Sequence, residues 1–147
     1  MSQTRQLAAI MFTDIVGYTA LMGNDEQKAF SILTKNRELQ KTIIEKFNGR
    51  WIKELGDGVM VSFNTVSDAV NAAIKIQEAC NAAKDFQLSI GIHQGEIIFE
   101  NNDIYGDAVN IASRIQSLGV PGSVLFSKKI TDEIRNKPEF QLTSREF

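Results

Sequence analysis

A short apolar run rich in strand-forming residues, Leu7 to Ile15 (LAAIMFTDI), carries a single carboxylate, Asp14, to its end. It reads as a buried strand. Small and flexible backbone follows at Ile15-Val16-Gly17, then Tyr18-Thr19. The glycine lets the chain turn closely past a ligand, and the N–H groups of such a turn can meet phosphate oxygens. An acid presented this way either caps the next helix or holds a divalent metal. The run alone does not choose between them, so the question is what else converges on Asp14.

Beyond this strand the patterns alternate. Asn24-Asp25 offers a helix cap, and Phe30, Leu33, Ile43, Ile44 and Phe47 recur at helical spacing until Asn48-Gly49, a C-terminal signal. Arg50 to Leu55 and Val59 to Phe63 are short strands joined at Gly56-Asp57-Gly58, a hairpin turn with an acid at its tip. Thr65 to Ala83 is a second helix with an apolar stripe from Val66 to Cys80. Leu88 to Ile92 and Glu96 to Glu100 read as strands bent at Gln94-Gly95, followed by turn chemistry at Asn101-Asn102-Asp103. Asp107 to Leu118 is a third helix, whose expected buried face is Ala108, Ile111, Ala112, Ile115 and Leu118. Val124 to Phe126 is a strand, Lys128 to Asn136 a short helix, and Phe140 to Leu142 the start of another strand. The order strand, helix, hairpin, helix, strand is the α+β, ferredoxin-like β-α-β-β-α-β arrangement, an antiparallel sheet with helices on one face.

Composition narrows the class. At 147 residues, 43% apolar and 23% charged, the chain has the size and make-up of one globular domain with a real core. A net charge of −2 gives no nucleic-acid footprint. No signal peptide and no stretch of membrane-spanning length is present in this sequence. The single cysteine, Cys80, cannot form an internal disulfide and fits a reducing, cytoplasmic setting.

In the ferredoxin-like topology the first strand and the central hairpin lie side by side, which brings Asp14 and Asp57 to one edge of the sheet. Two close carboxylates repel unless one takes a proton or a cation uses both charges. Mg²⁺ accepts one or two carboxylates plus substrate phosphates and water. Gly-Asp-Gly is also good composition for an ordinary turn, and that reading stays open. Asn110 and Arg114, four apart on the third helix, stack on a side away from the core, either as a displayed amide–guanidinium pair or as a solvated face. Lys53 is either a working donor or a snorkelling surface lysine, and Glu54 beside it could simply pair nearby. His93, the only histidine, sits mid-strand and is not taken as a metal ligand.

FTDIVGYT, KELGDGVMVSF and DIYGDAVNIASR, in this order and at these separations, resemble the catalytic domain of class III nucleotidyl cyclases, and most closely a bacterial adenylyl cyclase; the match runs from about Leu7 to Phe126. The resemblance implies roles position by position. Asp14 and Asp57 match the metal-binding aspartates, and Ile15 a position whose backbone touches the metal site. Lys53 and Asp103 match the purine-reading pair, Asn110 the ribose-orienting asparagine and Arg114 the transition-state arginine. It implies two Mg²⁺ or Mn²⁺ ions per site, ATP as substrate and a homodimer. In such a dimer, metal ligands from one chain meet the other four residues of the partner.

The implied reaction is attack of the ribose 3′-hydroxyl on the α-phosphorus of the same nucleotide, giving 3′,5′-cyclic AMP and pyrophosphate. The donor Lys53 and the acceptor Asp103 complement adenine, whereas guanine would leave both unsatisfied. Relatives in this family generally continue through a further hairpin, so the chain is expected to be one cyclase domain lacking that last hairpin, with any regulatory domain following residue 147 or on another protein. The competing readings are a cyclase-like dimeric nucleotide-binding or regulatory module with little activity, and a guanylyl cyclase. A palm-type diguanylate cyclase is disfavoured because the hairpin reads Leu-Gly-Asp-Gly.

Overall fold

The computed structural model describes residues 3–137 and residue 140. Its elements are β1 (Thr4–Ile15), α1 (Tyr18–Asn24), α2 (Glu26–Lys46), β2 (Arg50–Leu55), β3 (Gly58–Phe63), α3 (Val66–Ala83), β4 (Leu88–Glu100), β5 (Asp103–Tyr105), α4 (Asp107–Ser117), β6 (Val124–Phe126) and α5 (Lys128–Ile134). The expected strand beginning at Phe140 lies outside the described residues, apart from Phe140 itself, whose side chain is buried.

β1 is the centre of the sheet, paired antiparallel with β3 on one side and β4 on the other. It is buried on both faces, so it reads as a continuous apolar run without polar alternation. Ala9, Met11 and Ile15 face a core closed by α2 and α3, while Ala8, Ile10 and Phe12 face a smaller core closed by α4. The order β2-β3-β1-β4 is the expected ferredoxin-like core, with β5 added beside β4.

Two features extend that expectation. α4 lies on the face opposite α2 and α3, and β6 joins the start of β4 in parallel, Ile90 against Val124 through Ile92 against Phe126. Both elements follow the β-α-β-β-α-β core in the chain, so its one-sided helix layer does not constrain them.

Glycines explain where α4 sits and correct two expectations. β4 is continuous from Leu88 to Glu100, not bent at Gln94-Gly95. A Cβ on Gly95 would lie 2.5 Å from the Ala108 methyl, and one on Gly91 would run into the backbone of Gln116. These glycines therefore mark close approach of a helix to the sheet. Because α4 rests on its smallest residues, Ala108 and Ala112 are buried, but Ile111 is 38% and Leu118 64% exposed, contrary to the expected buried face. Likewise on α2 the buried stripe is Ala29, Ile32, Asn36, Gln40 and Ile44, and Phe30 is largely exposed. The helix ends as expected, with Asn48 left-handed at φ 61° and Gly49 N–H bonded back to Ile44 O. α1 has no counterpart in the sequence reading.

Candidate functional site

β1 and β3 are in register up to Thr13 opposite Val59, which sets the next residue of β1, Asp14, beside the hairpin turn that precedes β3. Gly56 makes that turn with φ 65°, a conformation that favours glycine. Asp57 Oδ2 accepts a hydrogen bond from the Ile15 N–H at 3.1 Å. The Asp14 carboxyl is pushed up to about 7, first by burial, then by its hydrogen bond to Asp57 and by the Asp57 charge, with the Ile15 N–H working the other way. The structure thus brings Asp14 and Asp57 to one corner, as the topology implied, with the Ile15 N–H bonded to Asp57. A carboxylate pair that holds a proton this firmly has surplus negative charge and hard oxygen donors, which suits a divalent cation. Among the described residues no group of three or more His, Cys, Asp or Glu side chains is placed to hold a metal, so further oxygens would have to come from backbone, water or substrate. His93 is elsewhere, with Nδ1 2.9 Å from Ser127 Oγ.

Lys53 and Asp103 also meet. Lys53 Nζ donates to Asp103 Oδ2 at 2.9 Å. Between Trp51 and Lys53 the β2–β3 register slips, so that Lys53 stands opposite Met60 and Glu54 opposite Val59. Met60 belongs to the core under α4 and Val59 to the core under α2. The bulge therefore turns Lys53 toward the α4 side of the sheet and Glu54 toward α2. Asp103 arrives from the other edge, after the two left-handed residues Asn101 and Asn102 that close the β4–β5 hairpin. Arg50 of β2 also lies over the Phe99 ring of β4, 4.2 Å from its centroid. Burial works to raise the Asp103 carboxyl, but the Lys53 hydrogen bond, the Ile104 N–H and the Lys53 charge outweigh it and hold it below the usual carboxylate value.

Asn110 and Arg114 stand on the exposed side of α4, away from Ala108 and Ala112. Among the described residues neither side chain makes a hydrogen bond or ion pair, and the fold of one chain does not join them to Asp14 and Asp57 by any such contact. An open cleft of about 880 Å³, lined by Val16, Gln77, Lys84 and Phe86 among others, contains none of these seven residues.

The sequence reading did not find Thr13, Asn36, Gln40 and Arg37. Gln40 Nε2 donates to Thr13 Oγ1 at 3.0 Å and to Asn36 Oδ1 at 2.7 Å, in the core directly behind Asp14. Arg37 pairs with Glu54 through both Nε and Nη2, each at 2.9 Å. The available signal was two amides at helical spacing inside an apolar stripe, Ile32-Asn36-Gln40-Ile44.

A family model described as the adenylate and guanylate cyclase catalytic domain matches residues 1–147. A putative adenylate cyclase 3 of Rhizobium meliloti is 35% identical over 143 residues, covering 92% of this chain and 24% of that protein. An adenylate cyclase of Glutamicibacter nicotianae is 30% identical over 141 residues, covering 95% of this chain and 35% of that one. The crystal structure of an adenylate/guanylate cyclase/hydrolase from Silicibacter pomeroyi superposes with a TM-score of 0.86 at 32% identity, over 92% of this chain and 84% of that one. Other similar proteins carry guanylate-cyclase names. The chain spans about a quarter to a third of the length of the two curated relatives. No helix among the described residues is long and apolar enough to cross a membrane.

Proposed function

The chain belongs to the adenylate and guanylate cyclase catalytic-domain family, the class III cyclases, and on that premise we propose that it is an adenylyl cyclase that converts ATP to 3′,5′-cyclic AMP and pyrophosphate at a site shared between two copies of the chain. The observation that carries this reading is the Asp14–Asp57 corner, where the end of β1 and the β2–β3 turn bring two carboxylates together, Asp57 being held by the Ile15 N–H. Asp14 and Asp57, with the Ile15 backbone, would hold Mg²⁺ or Mn²⁺, two ions per site, which when bound lower the pKa of the ribose 3′-hydroxyl and carry triphosphate charge.

The remaining roles fall to this chain's other residues. The 3′-oxygen bonds the α-phosphorus as pyrophosphate leaves. Arg114 neutralises charge that builds on the α-phosphoryl oxygens, an effect worth orders of magnitude in phosphoryl transfer. Asn110 orients the ribose. Lys53 donates to a ring nitrogen of adenine and Asp103 accepts from its amino group; their side-by-side placement supports this base choice. The two carboxylates meet within one chain while Asn110 and Arg114 face outward beside the exposed Ile111, which supports a homodimer that carries each half to the other. A reducing, cytoplasmic setting fits the single cysteine, Cys80, a buried free thiol with no second cysteine to pair with.

The test is incubation with ATP or GTP and Mg²⁺ or Mn²⁺, with the products identified. Metal-dependent cyclic AMP from ATP is the expected result. Cyclic GMP alone would overturn the base assignment, and no cyclic product with either nucleotide would overturn the enzyme reading in favour of a binding module.

A further inference from the structure

One helix, α2, is bonded to both strands that lead to the paired carboxylates. Thr13, the residue before Asp14, is 1% exposed and donates from its hydroxyl to Gln40 Oε1 at 3.2 Å, while the Gln40 amide donates back at 3.0 Å. Gln40 is fully buried and is itself fixed by Asn36 at 2.7 Å. One helical turn away, the Arg37 guanidinium grips both oxygens of Glu54. Glu54 lies on β2 three residues before Asp57. Buried amides are costly unless bonded, and an apolar stripe would fill the same space without that requirement. A fully bonded polar network in a core fixes one relative position of the parts it joins.

We propose that α2 is a positioning element for the Asp14–Asp57 corner: Gln40 sets the end of β1 through Thr13, Arg37 sets the β2–β3 hairpin through Glu54, and together they fix how the two carboxylates face each other. This inference rests on the reading of the corner as a cation site.

The test uses the full chain titrated with Mn²⁺ alone, the free ion being counted by electron paramagnetic resonance. Both carboxylates belong to one chain, so neither nucleotide nor dimer is needed. Gln40→Leu and Arg37→Met should each weaken Mn²⁺ binding about tenfold, the effect typical of groups that orient ligands without touching the metal. The exchanged pair Arg37→Glu with Glu54→Arg should recover most of the loss. Ile76→Ala, a core cavity on α3, sets the scale for destabilisation alone and should leave Mn²⁺ affinity unchanged. If Gln40→Leu does not fold, the half-exposed Arg37–Glu54 pair carries the test. Gln40→Leu and Arg37→Met proteins that bind Mn²⁺ no more weakly than Ile76→Ala, while Asp14→Asn loses it, would overturn the positioning role and leave the site reading intact. Unchanged binding in Asp14→Asn overturns the site reading itself, and this inference with it.

Discussion

Asp14 and Asp57 meet at the ends of two adjacent strands, with the Ile15 N–H on one carboxylate and α2 bonded to the segments behind both. Asn110 and Arg114 stand exposed on α4, and among the described residues their side chains make no hydrogen bond or ion pair. The two regions are built by different physics. The corner is fixed by strand register, a left-handed glycine and a buried polar network, so its geometry is settled when the chain folds. The outer side of α4 is fixed only in direction, by two glycines that let the helix lie close on β4. A surface set in direction, with no contact of its own among the described residues, suits something brought to it; in the proposed homodimer a second copy of the chain would bring the carboxylate corner.

The largest effects should come from removing one group from either region. Asp14→Asn, Asp57→Asn and Arg114→Ala should each lower metal-dependent turnover by about a thousandfold or more, measured as cyclic AMP formed per chain. A loss in Arg114→Ala no larger than in an exposed control such as Lys75→Ala would remove α4 from the chemistry. The comparison is tested more sharply by mixing two inactive proteins, Asp14→Ala and Arg114→Ala. In a mixed dimer with composite sites, one site carries both lesions and the other carries none. With equal mixing and free exchange, half the dimers are mixed and half their sites work, so activity should return to about a quarter of wild type. A site completed within one chain gives no recovery once exchange has been demonstrated.

Base choice should change by less. Lys53→Glu with Asp103→Ser should shift the ratio of ATP to GTP turnover toward GTP by about 30-fold or more, since two mismatched groups cost roughly 1–3 kcal/mol each once a bound base buries them. A folded double variant that keeps the wild-type ratio would remove the pair from base reading.

These two regions were unequally legible in the sequence. Asp14 and Asp57 were readable because each ends or tips an element whose pattern is local: a continuous apolar run and a Gly-Asp-Gly turn. Their meeting followed from topology alone. The brace left only a faint mark, two amides inside the apolar stripe Ile32-Asn36-Gln40-Ile44, and their partner Thr13 is set by tertiary packing that no local pattern shows. The bulge that sends Lys53 one way and Glu54 the other leaves no mark in composition, although Glu54 did find a nearby partner. On α4 the helical period was read correctly, but the side that packs was set by Gly91 and Gly95 on another strand, which is why Ile111 and Leu118 are exposed. The β5 strand and α1 are a few residues each and are made by pairing and packing more than by pattern.

The glycine seat can be broken directly. Gly91→Ala places a methyl into the Gln116 backbone and should destabilise the chain by about 1–3 kcal/mol through overpacking, read from the urea midpoint. Gly17→Ala meets no atom within 4 Å and should cost less, through its positive φ alone. Equal losses would mean that α4 is not seated on β4 as described.

The smallest effect isolates the corner in the metal-free protein. The Asp14 carboxyl rises from its ordinary value of 3.8 to about 7 on folding. The folded chain therefore holds that proton more tightly than the unfolded chain does. Below pH 3.8 both states are protonated and the corner costs nothing. As pH rises toward 7 the unfolded state ionises first, and stability is lost until the folded carboxyl has ionised as well. Asp14→Asn cannot ionise, so with metal chelated its stability relative to wild type should climb between about pH 4 and pH 7 and level off above. The gain at pH 8 should be about 1–2 kcal/mol, because the pair is half open to water. Asn110→Ala, a change on α4 that removes no titrating group, should give a difference from wild type that is flat over the same range. Urea unfolding at pH 5 and pH 8 with a chelator measures both. If Asp14→Asn shows the same offset at the two pH values, the two carboxylates do not share a proton and the corner lacks the excess charge that a cation would use.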